Sequence, residues 1–312
     1  MRRTGLHCRR GGLSLALVAA CSGSTPASQL GSGTSSAPPA SPPAAWTLTW
    51  SDEFDGVAGA IDQSKWVYDL GTRYSATSPD AWGTGEIETM TSDTANVALD
   101  GRGHLSIRPV RDPHGAWTSA RIETQRNDFQ PPAQGALAVE ASIEQPAVTT
   151  ANGPGYWPAF WMLGGTFRPT FTGWPAVGEI DILENVNGRS SIWSTFHCGP
   201  SIPGPCRETT GLGSGERACA GCLGAFHTYR MEWDRGVSPQ ELRWYLDGAN
   251  YFTLRQSDVD ASAWNDATSH GYMIILNVAI GGGFPGAFGG GPASTTASGV
   301  PMIVDYVRVY QR

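Results

Sequence analysis

Charged side chains are scarce in this 312-residue sequence: they make up 16% of the residues and leave a formal net charge of −7. A protein that binds nucleic acid through its phosphates needs clustered Lys and Arg, so this composition argues against a nucleic-acid partner. Helical patterns are scarce too, because no stretch keeps a helical period beyond about two turns and only residues 257–267 predict a short helix. The sequence also has no internal repeat, so helical bundles and repeat arrays are not expected.

Long apolar runs are missing as well. Residues 13–20 form an apolar run that is too short for a permanent membrane span, which needs about 20 residues. Four arginines come before it: Arg2, Arg3, Arg9 and Arg10. A basic start followed by a short apolar stretch is typical of an export signal, which we predict over residues 1–20.

The next segment predicts where the protein is held. Val18-Ala19-Ala20-Cys21 resembles a bacterial lipobox, in which Cys21 is lipidated; the alternative is an ordinary signal peptide cleaved near Ala20 or further on. Residues 21–45 are Ser, Pro, Gly, Ala and Thr almost throughout, so they predict a disordered tether. We therefore expect an exported bacterial protein, extracellular or attached to the cell surface only by a lipid anchor, with its folded domain at residues 46–312.

Cysteine is also rare, with six in the chain. Cys8 and Cys21 belong to the leader. The remaining four are an even number in an exported protein, which favours disulfides. We predict two local pairs, Cys198–Cys206 and Cys219–Cys222; a zinc ion held by these four cysteines is the alternative.

The chain is rich in short strands separated by turn residues. Its 40 Gly and 22 Pro suit many strands joined by turns, and Asp247-Gly248 is a typical hairpin turn. Strands are predicted at residues 46–50, 96–99, 104–108, 120–124, 137–143, 157–163, 179–184, 191–197, 227–233, 242–246, 273–280 and 302–310. This pattern predicts an all-β fold, a two-sheet sandwich or jelly roll.

The central motif is the stretch Glu179-Ile180-Asp181-Ile182-Leu183-Glu184. Side chains alternate faces along a strand, so Glu179 and Asp181 share a face while Glu184 falls on the other. A one-residue bulge at Ile182-Leu183 would return Glu184 to the acidic face. Three acids on one face repel, so at least one should keep its proton near neutral pH. One ionised and one protonated carboxyl group on either side of a bond is the requirement for cleaving a glycosidic linkage.

Several motifs of this chain resemble glycoside hydrolase family 16, in its laminarinase-like, endo-β-1,3-glucanase branch. The matching motifs are Trp50-Ser51-Asp52-Glu53-Phe54-Asp55-Gly56, Gly155-Tyr156-Trp157-Pro158-Ala159-Phe160-Trp161, the acidic stretch at residues 179–184, Trp244-Tyr245-Leu246-Asp247-Gly248 and Val304-Asp305-Tyr306-Val307-Arg308-Val309-Tyr310. The resemblance implies a two-sheet, concanavalin A-like β-jelly-roll sandwich with a concave substrate cleft. It also implies a monomeric, retaining endo-β-glucanase that needs no cofactor for catalysis and binds β-glucan polysaccharides or oligosaccharides.

The resemblance also implies roles for individual residues. Glu179 matches the nucleophile, Glu184 the acid/base and Asp181 the assisting carboxylate between them. Alternative activities are β-1,3-1,4-glucanase, β-galactanase and transglycosylase, and the non-enzyme alternative is a lectin-like carbohydrate-binding module. The intact set of three acids argues against a module that only binds.

Other residues match substrate-contact and metal positions of the family. The expected substrate contacts are Trp174, Arg121, Trp157, Trp161 and His197. The alternatives are core packing for the tryptophans, an ion pair for Arg121 and plain packing for His197. A structural Ca²⁺ site is implied at Glu53, Gly103 and Asp305, in part through backbone carbonyls. Laminarinases often have Asn-Asn-Glu-Leu-Gln after an early Trp. Residues 82–88 depart from this pattern, because they lack both of its Asn.

Overall fold

The structure, a computed structural model, describes residues 45–312. The predicted signal peptide, the predicted lipidation site Cys21 and all but the last residue of the predicted tether lie outside these residues. No helix within the described part of the chain is long and apolar enough to cross a membrane.

The described residues form a chain of β-strands with few helices. The strands are β1 (Thr47–Asp52), β2 (Trp66–Asp69), β3 (Thr89–Met90), β4 (Val97–Leu99), β5 (Leu105–Ile107), β6 (Val110–Arg111), β7 (Trp117–Ser119), β8 (Arg121–Thr124), β9 (Ala136–Glu144), β10 (Tyr156–Gly164), β11 (Glu179–Glu184), β12 (Ser191–His197), β13 (Leu212–Gly213), β14 (Arg217–Ala218), β15 (His227–Asp234), β16 (Glu241–Leu246), β17 (Ala249–Arg255), β18 (Tyr272–Ile280) and β19 (Met302–Gln311). The helices are α1 (Ala261–Thr268) and α2 (Gly283–Ala287), and 3-10 turns lie at Ala81–Gly83, Gly165–Phe167 and Gln256–Asp258.

Two large antiparallel sheets form the fold. Sheet I has the order β17-β16-β15-β9-β19-β5-β4, with β1 also paired to β19. Sheet II has the order β13-β12-β11-β10-β18-β8-β2, with β14 also paired to β12. A small third sheet has the order β3-β7-β6. Half of the neighbouring pairs along each large sheet are distant in sequence, because the chain crosses repeatedly between the sheets. The predicted all-β jelly-roll sandwich is confirmed.

The two large sheets share one apolar core. Alternate residues of β18 enter it, among them Ile274, Leu276 and Val278, all fully buried. Sheet I contributes Trp244, whose Nε1 donates to the carbonyl oxygen of Asp181 in sheet II at 2.8 Å. Burying a large apolar side chain stabilises the fold by about 1.5–3 kcal/mol, so this core fixes which face of each strand points outward.

The other face of sheet II, here called the groove face, carries a second and smaller apolar cluster. Its buried members are Leu163, Phe167, Val177, Met273 and Ile275, with the partly buried Tyr74, Trp161, Phe171 and Trp174 packed on them. This cluster covers part of the groove face with loops. The acidic strand β11 crosses the remaining part.

All four cysteines lie in the loop between β12 and β15, residues 198–226, here called the stapled loop. Cys198 pairs with Cys206 and Cys219 with Cys222, at Cα–Cα distances of 5.5 and 5.6 Å, so both predicted disulfides are confirmed. With the four sulfurs in two disulfides, the zinc alternative is wrong. The loop also pairs with β12 through β13 and β14, so its position is set relative to sheet II.

The structure confirms two local predictions, a short helix and a hairpin turn. The short helix expected at residues 257–267 is present as the turn Gln256–Asp258 followed by α1, and Asp260 caps α1 by accepting from the backbone N–H of Ala263 at 3.0 Å. Asp247 and Gly248 join β16 to β17 with φ values of 50° and 78°, as a type I′ hairpin turn requires. The glycine-rich residues 281–291 contain α2.

Candidate active site

The acidic strand β11 carries the predicted bulge. Against β10, Asp181 pairs with Trp161 and Leu183 with Phe160, so Ile182 is the extra residue. Against β12, Asp181 pairs with Thr195 and Glu184 with Trp193, so two residues of β11 face one of its neighbour. The bulge therefore lies at Ile182-Leu183, as the sequence predicts.

The bulge separates apolar from acidic side chains. Ile180, Ile182 and Leu183 are at most 1% exposed and belong to the shared core. The three carboxyl groups point to the groove face, where Asp181 and Glu184 are 4% and 9% exposed and the Glu179 side chain is 17% exposed. Such low exposure on a sheet face that is not the core means that the acids lie at the bottom of a recess.

A tryptophan donates to each outer acid. Nε1 of Trp174 lies 3.1 Å from Oε2 of Glu179, and Nε1 of Trp157 lies 2.9 Å from Oε1 of Glu184. Trp157 is on β10, beside the acidic strand, and its ring packs edge-on against Phe284 at 5.7 Å between centroids. Two of the three tryptophans predicted as substrate contacts therefore lie beside the acids, and each donates to one carboxyl group.

His197 lies at the end of β12, opposite Glu179. Its Nε2 is 3.2 Å from Oδ2 of Asp181 and 3.8 Å from Oε1 of Glu179, while its Nδ1 is 2.6 Å from Oε2 of Glu208. The contact with Asp181 is an ion-pair distance without the alignment of a good hydrogen bond. His197, predicted as a substrate contact, thus meets the site carboxylates. Its partner Glu208 was missed because nothing in its local pattern marks it.

Burial and mutual repulsion raise the pKa of two of these acids. The pKa of Glu184 lies well above its usual range, first because the group is buried and then because Asp181 is close. Burial and Asp181 also raise the pKa of Glu179, but His197 and Arg121 act against this rise. The pKa of His197 is raised well above 6.5 despite burial, because Asp181, Glu208 and Glu179 stabilise its charged form. The surroundings therefore favour the protonated form of both outer acids, while His197 lowers the pKa of both and Arg121 lowers that of Glu179.

Arg121 reaches the groove face but is buried under it. Its Nε lies 3.1 Å from Oδ2 of Asp69, an NH2 group contacts the hydroxyl of Tyr74, and the residue is 4% exposed. The rings of Tyr74, Trp82 and Trp161 lie 4.7–4.8 Å from its guanidinium carbon. Arg121 thus forms the ion pair that was the alternative to direct substrate contact, and the loop that carries Tyr74 and Trp82 covers it.

Trp161 and the segment 82–88 have mainly internal partners. Nε1 of Trp161 donates to Oδ1 of Asn277 at 2.8 Å, and Asn277 was not predicted. Within 82–88, Glu86 and Glu88 are 6% and 1% exposed, and Oε2 of Glu88 accepts from the backbone N–H of Ile280 at 2.7 Å. Burial and the neighbouring Glu86 raise the pKa of Glu88 well above its usual range, so a proton is retained there. The hydrogen bond of Glu88 holds the segment against the end of β18.

One of the three predicted calcium residues has another partner. The carboxylate of Glu53 accepts from Nε and NH2 of Arg308 at 3.0 and 2.7 Å, which also lowers the pKa of Glu53. Its side chain is therefore not free for Ca²⁺, and a site with Gly103 and Asp305 would depend on backbone carbonyls. The calcium site stays a prediction.

Within residues 45–312, one group of three His, Cys, Asp or Glu side chains is close enough to hold a metal ion: Glu179, Asp181 and His197. His197 has carboxylates at both ring nitrogens, so a protonated ring fits there better than a metal ligand, which needs a free nitrogen lone pair.

The fold and the site together define a class of protein. A two-sheet jelly roll presents three carboxyl groups in a recess beside tryptophan rings, and the pKa values of the two outer acids are raised. This is the arrangement of a glycoside hydrolase.

Comparison with known proteins agrees with this class. Residues 142–216 match the family model described as an XgeA-like, catalytic GH16 domain. The crystal structure of an endo-1,3-beta-glucanase from Streptomyces sioyaensis has 53% sequence identity and a TM-score of 0.83, covering 88% of this chain and 99% of that one. A beta-glucanase of Rhodothermus marinus is 30% identical over 283 residues, 85% of each chain. A glucan endo-1,3-beta-glucosidase of Cryptopygus antarcticus is 31% identical over 272 residues, 81% of this chain and 86% of that protein. The chain belongs to glycoside hydrolase family 16.

Proposed function

We propose that this protein is a retaining endo-β-glucanase that hydrolyses β-1,3-glucosidic linkages in laminarin-type glucans. The observation that carries the proposal is the bulge in β11, which brings Glu179 and Glu184 to the same face with a separate indole donor on each. The names of the relatives, which are β-glucanases and endo-β-1,3-glucanases, support the linkage.

The reaction begins with the proton on Glu184. Glu184 gives this proton to the glycosidic oxygen as the bond to the anomeric carbon breaks, and the ionised Glu179 attacks that carbon from the other side. A covalent glycosyl-enzyme results. Glu184, now ionised, takes a proton from water, and the water displaces Glu179 with a second inversion that restores the β configuration.

The neighbouring charges suit these two roles. Burial and Asp181 raise the pKa of Glu179 to about 8, and His197 and Arg121 act against this rise and so favour its ionised form. Burial and the negative charge of Asp181 favour the proton on Glu184. Asp181 raises and His197 lowers the pKa of both acids, so Arg121 is the cation that acts on the nucleophile in particular. The chemistry uses these side chains and water, without a cofactor.

The test is release of reducing sugar from laminarin, lichenan and β-galactan by the purified protein. We expect laminarin to be cleaved, and Glu179→Gln or Glu184→Gln to lower kcat by several orders of magnitude with an unchanged melting temperature. NMR of fresh product should show the β-anomer first. Faster cleavage of lichenan or galactan would contradict laminarin as the preferred substrate. An α-anomer as the first product would contradict the double displacement. Binding of glucan without cleavage would indicate a lectin-like module.

We further propose that the protein is exported and attached to the cell surface by a lipid on Cys21, acting as a monomer. The supports are the basic and apolar residues 1–20 and the tether composition of residues 21–45. Labelled fatty acid should enter the full-length protein in a bacterial host and not the Cys21→Ala variant; equal labelling of the two, or none in either, would contradict the anchor.

A further inference from the structure

One buried carboxylate beside the site has no role in the reaction described above. Glu208 lies in the stapled loop, and its side chain is fully buried. Its Oε2 lies 2.6 Å from Nδ1 of His197, and its Oε1 accepts from the backbone N–H of Cys198 at 3.0 Å. Both oxygens therefore serve one purpose, which is to hold the end of β12 and the ring on it.

The loop around Glu208 encloses the His197 ring. Cys206, two residues before Glu208, is bonded to Cys198, the residue after His197. Gly211 adopts a φ of +69°, and a Cβ placed on it would lie 2.9 Å from Nδ1 and Cε1 of the ring. The ring of Trp174 lies 5.8 Å away between centroids. These contacts leave the ring little freedom to turn.

The surroundings of His197 also determine its charge. Glu208 faces Nδ1, and Asp181 and Glu179 face Nε2. A neutral imidazole has one nitrogen without a proton, and that lone pair would point at a carboxylate. Only the imidazolium presents a proton to the acids on both sides.

Two further charged groups lie near these acids, one on β11 and one on β8. Glu184 shares the groove face with Asp181 and is influenced by the charge of His197, and Arg121 acts on Glu179 from β8. His197 is thus the cation nearest to Asp181, while Arg121 is already paired with Asp69.

We propose that Glu208 is a positioning residue for the reaction: it holds His197 as an imidazolium, turned toward Asp181 and Glu179. The inference rests on the proposed function, because it gives this imidazolium the task of keeping Glu179 ionised next to Asp181. The stapled loop is then part of the active site, although none of its residues is assigned contact with the sugar.

The test compares Glu208→Gln with a matched control, Glu216→Gln. Glutamine keeps the size of Glu208 and removes its charge. Glu216 belongs to the same loop but pairs with Arg189 at the surface. The readouts are the pH dependence of kcat/KM on laminarin and the NMR titration of the His197 ring.

In E208Q we expect the pKa of His197 to fall, so that the ring loses its proton at a lower pH. Glu179 then loses the lowering effect of His197, which is larger than the raising effect of Glu208 that the substitution also removes. The acidic limb of the profile should therefore move to higher pH. A shift of about one unit lowers activity about tenfold at pH values below that limb. KM should change less than twofold, and E216Q should behave as the original protein. An unmoved His197 titration and acidic limb in folded E208Q would overturn the proposal.

The unmodified protein provides an independent reading if E208Q does not fold. Its His197 ring should remain protonated at pH 7, and a neutral ring at that pH would overturn the proposal. This titration needs no substrate, so it tests the charge of His197 independently of the reaction. A protein that cleaves no glucan would refute the proposed function, and the charge of His197 could still be measured.

Discussion

The hydrogen bond from Trp157 to Glu184 makes a quantitative prediction about pH dependence. Replacing Trp157 with Phe removes the N–H that lies 2.9 Å from Oε1 of Glu184 and keeps an aromatic ring against Phe284. This N–H lowers the pKa of Glu184, because a donor stabilises the ionised carboxylate. Its loss should therefore raise the pKa of Glu184 further.

The size of the shift follows from the strength of such a bond. A hydrogen bond to a charged group contributes about 1.5–3 kcal/mol, and one pKa unit corresponds to about 1.4 kcal/mol. If the bond to the neutral acid retains part of that energy, the net shift is about one unit. Glu184 must be protonated to act as the acid, so the basic limb of kcat/KM should move upward by about one pH unit.

The assay is initial-rate hydrolysis of laminarin from pH 4 to 10, and Trp161→Phe is the control. It makes the same substitution on the same strand, but its N–H donates to Asn277 and not to an acid. We expect the basic limb of W161F to match that of the original protein. A W157F limb that stays in place or moves to lower pH would refute the reasoning, as would an equal shift in W161F.

Three further predictions concern stability. Arg121→Met leaves Asp69 buried without its partner and should lower the free energy of unfolding by about 3–5 kcal/mol. Its control, Arg126→Met, removes an exposed ion pair and should lower that free energy by less than about 1 kcal/mol. Equal losses for the two variants in urea unfolding would contradict this prediction. Replacing Cys198 and Cys206 with Ser opens a loop of eight residues' separation and should remove about 2–3 kcal/mol, with an unchanged urea midpoint as the contrary result. Adding Ca²⁺ to EDTA-treated protein should raise Tm, and an unchanged Tm would argue against the predicted calcium site.

The acidic strand was predictable because two simple patterns meet in it. Side chains alternate along any strand, and Ile180, Ile182 and Leu183 must enter the core, so the acids have one face left and the bulge is needed to bring Glu184 there. The disulfide pairs were predictable for a related reason, since each joins cysteines close in sequence.

Contacts between distant segments were not predictable in this way. Glu208 meets His197 only because the disulfide and β13 fold the loop back onto β12. Arg121 alternates to the groove face as expected, but its burial depends on Tyr74 and Trp82 closing over it from another loop. Local residue types leave such contacts open, since they depend on how loops from separate parts of the chain pack together.

The central claim is that Glu179 and Glu184 act on opposite sides of one glycosidic bond, with Glu179 forming the covalent bond. A 2-deoxy-2-fluoro-β-laminaribioside with a dinitrophenolate leaving group should trap that intermediate, since the fluorine slows its hydrolysis. Mass spectrometry of the digested protein should find one fluorinated disaccharide unit, attached to the peptide at Glu179. A sugar on Glu184, or full turnover without any labelled peptide, would contradict the account.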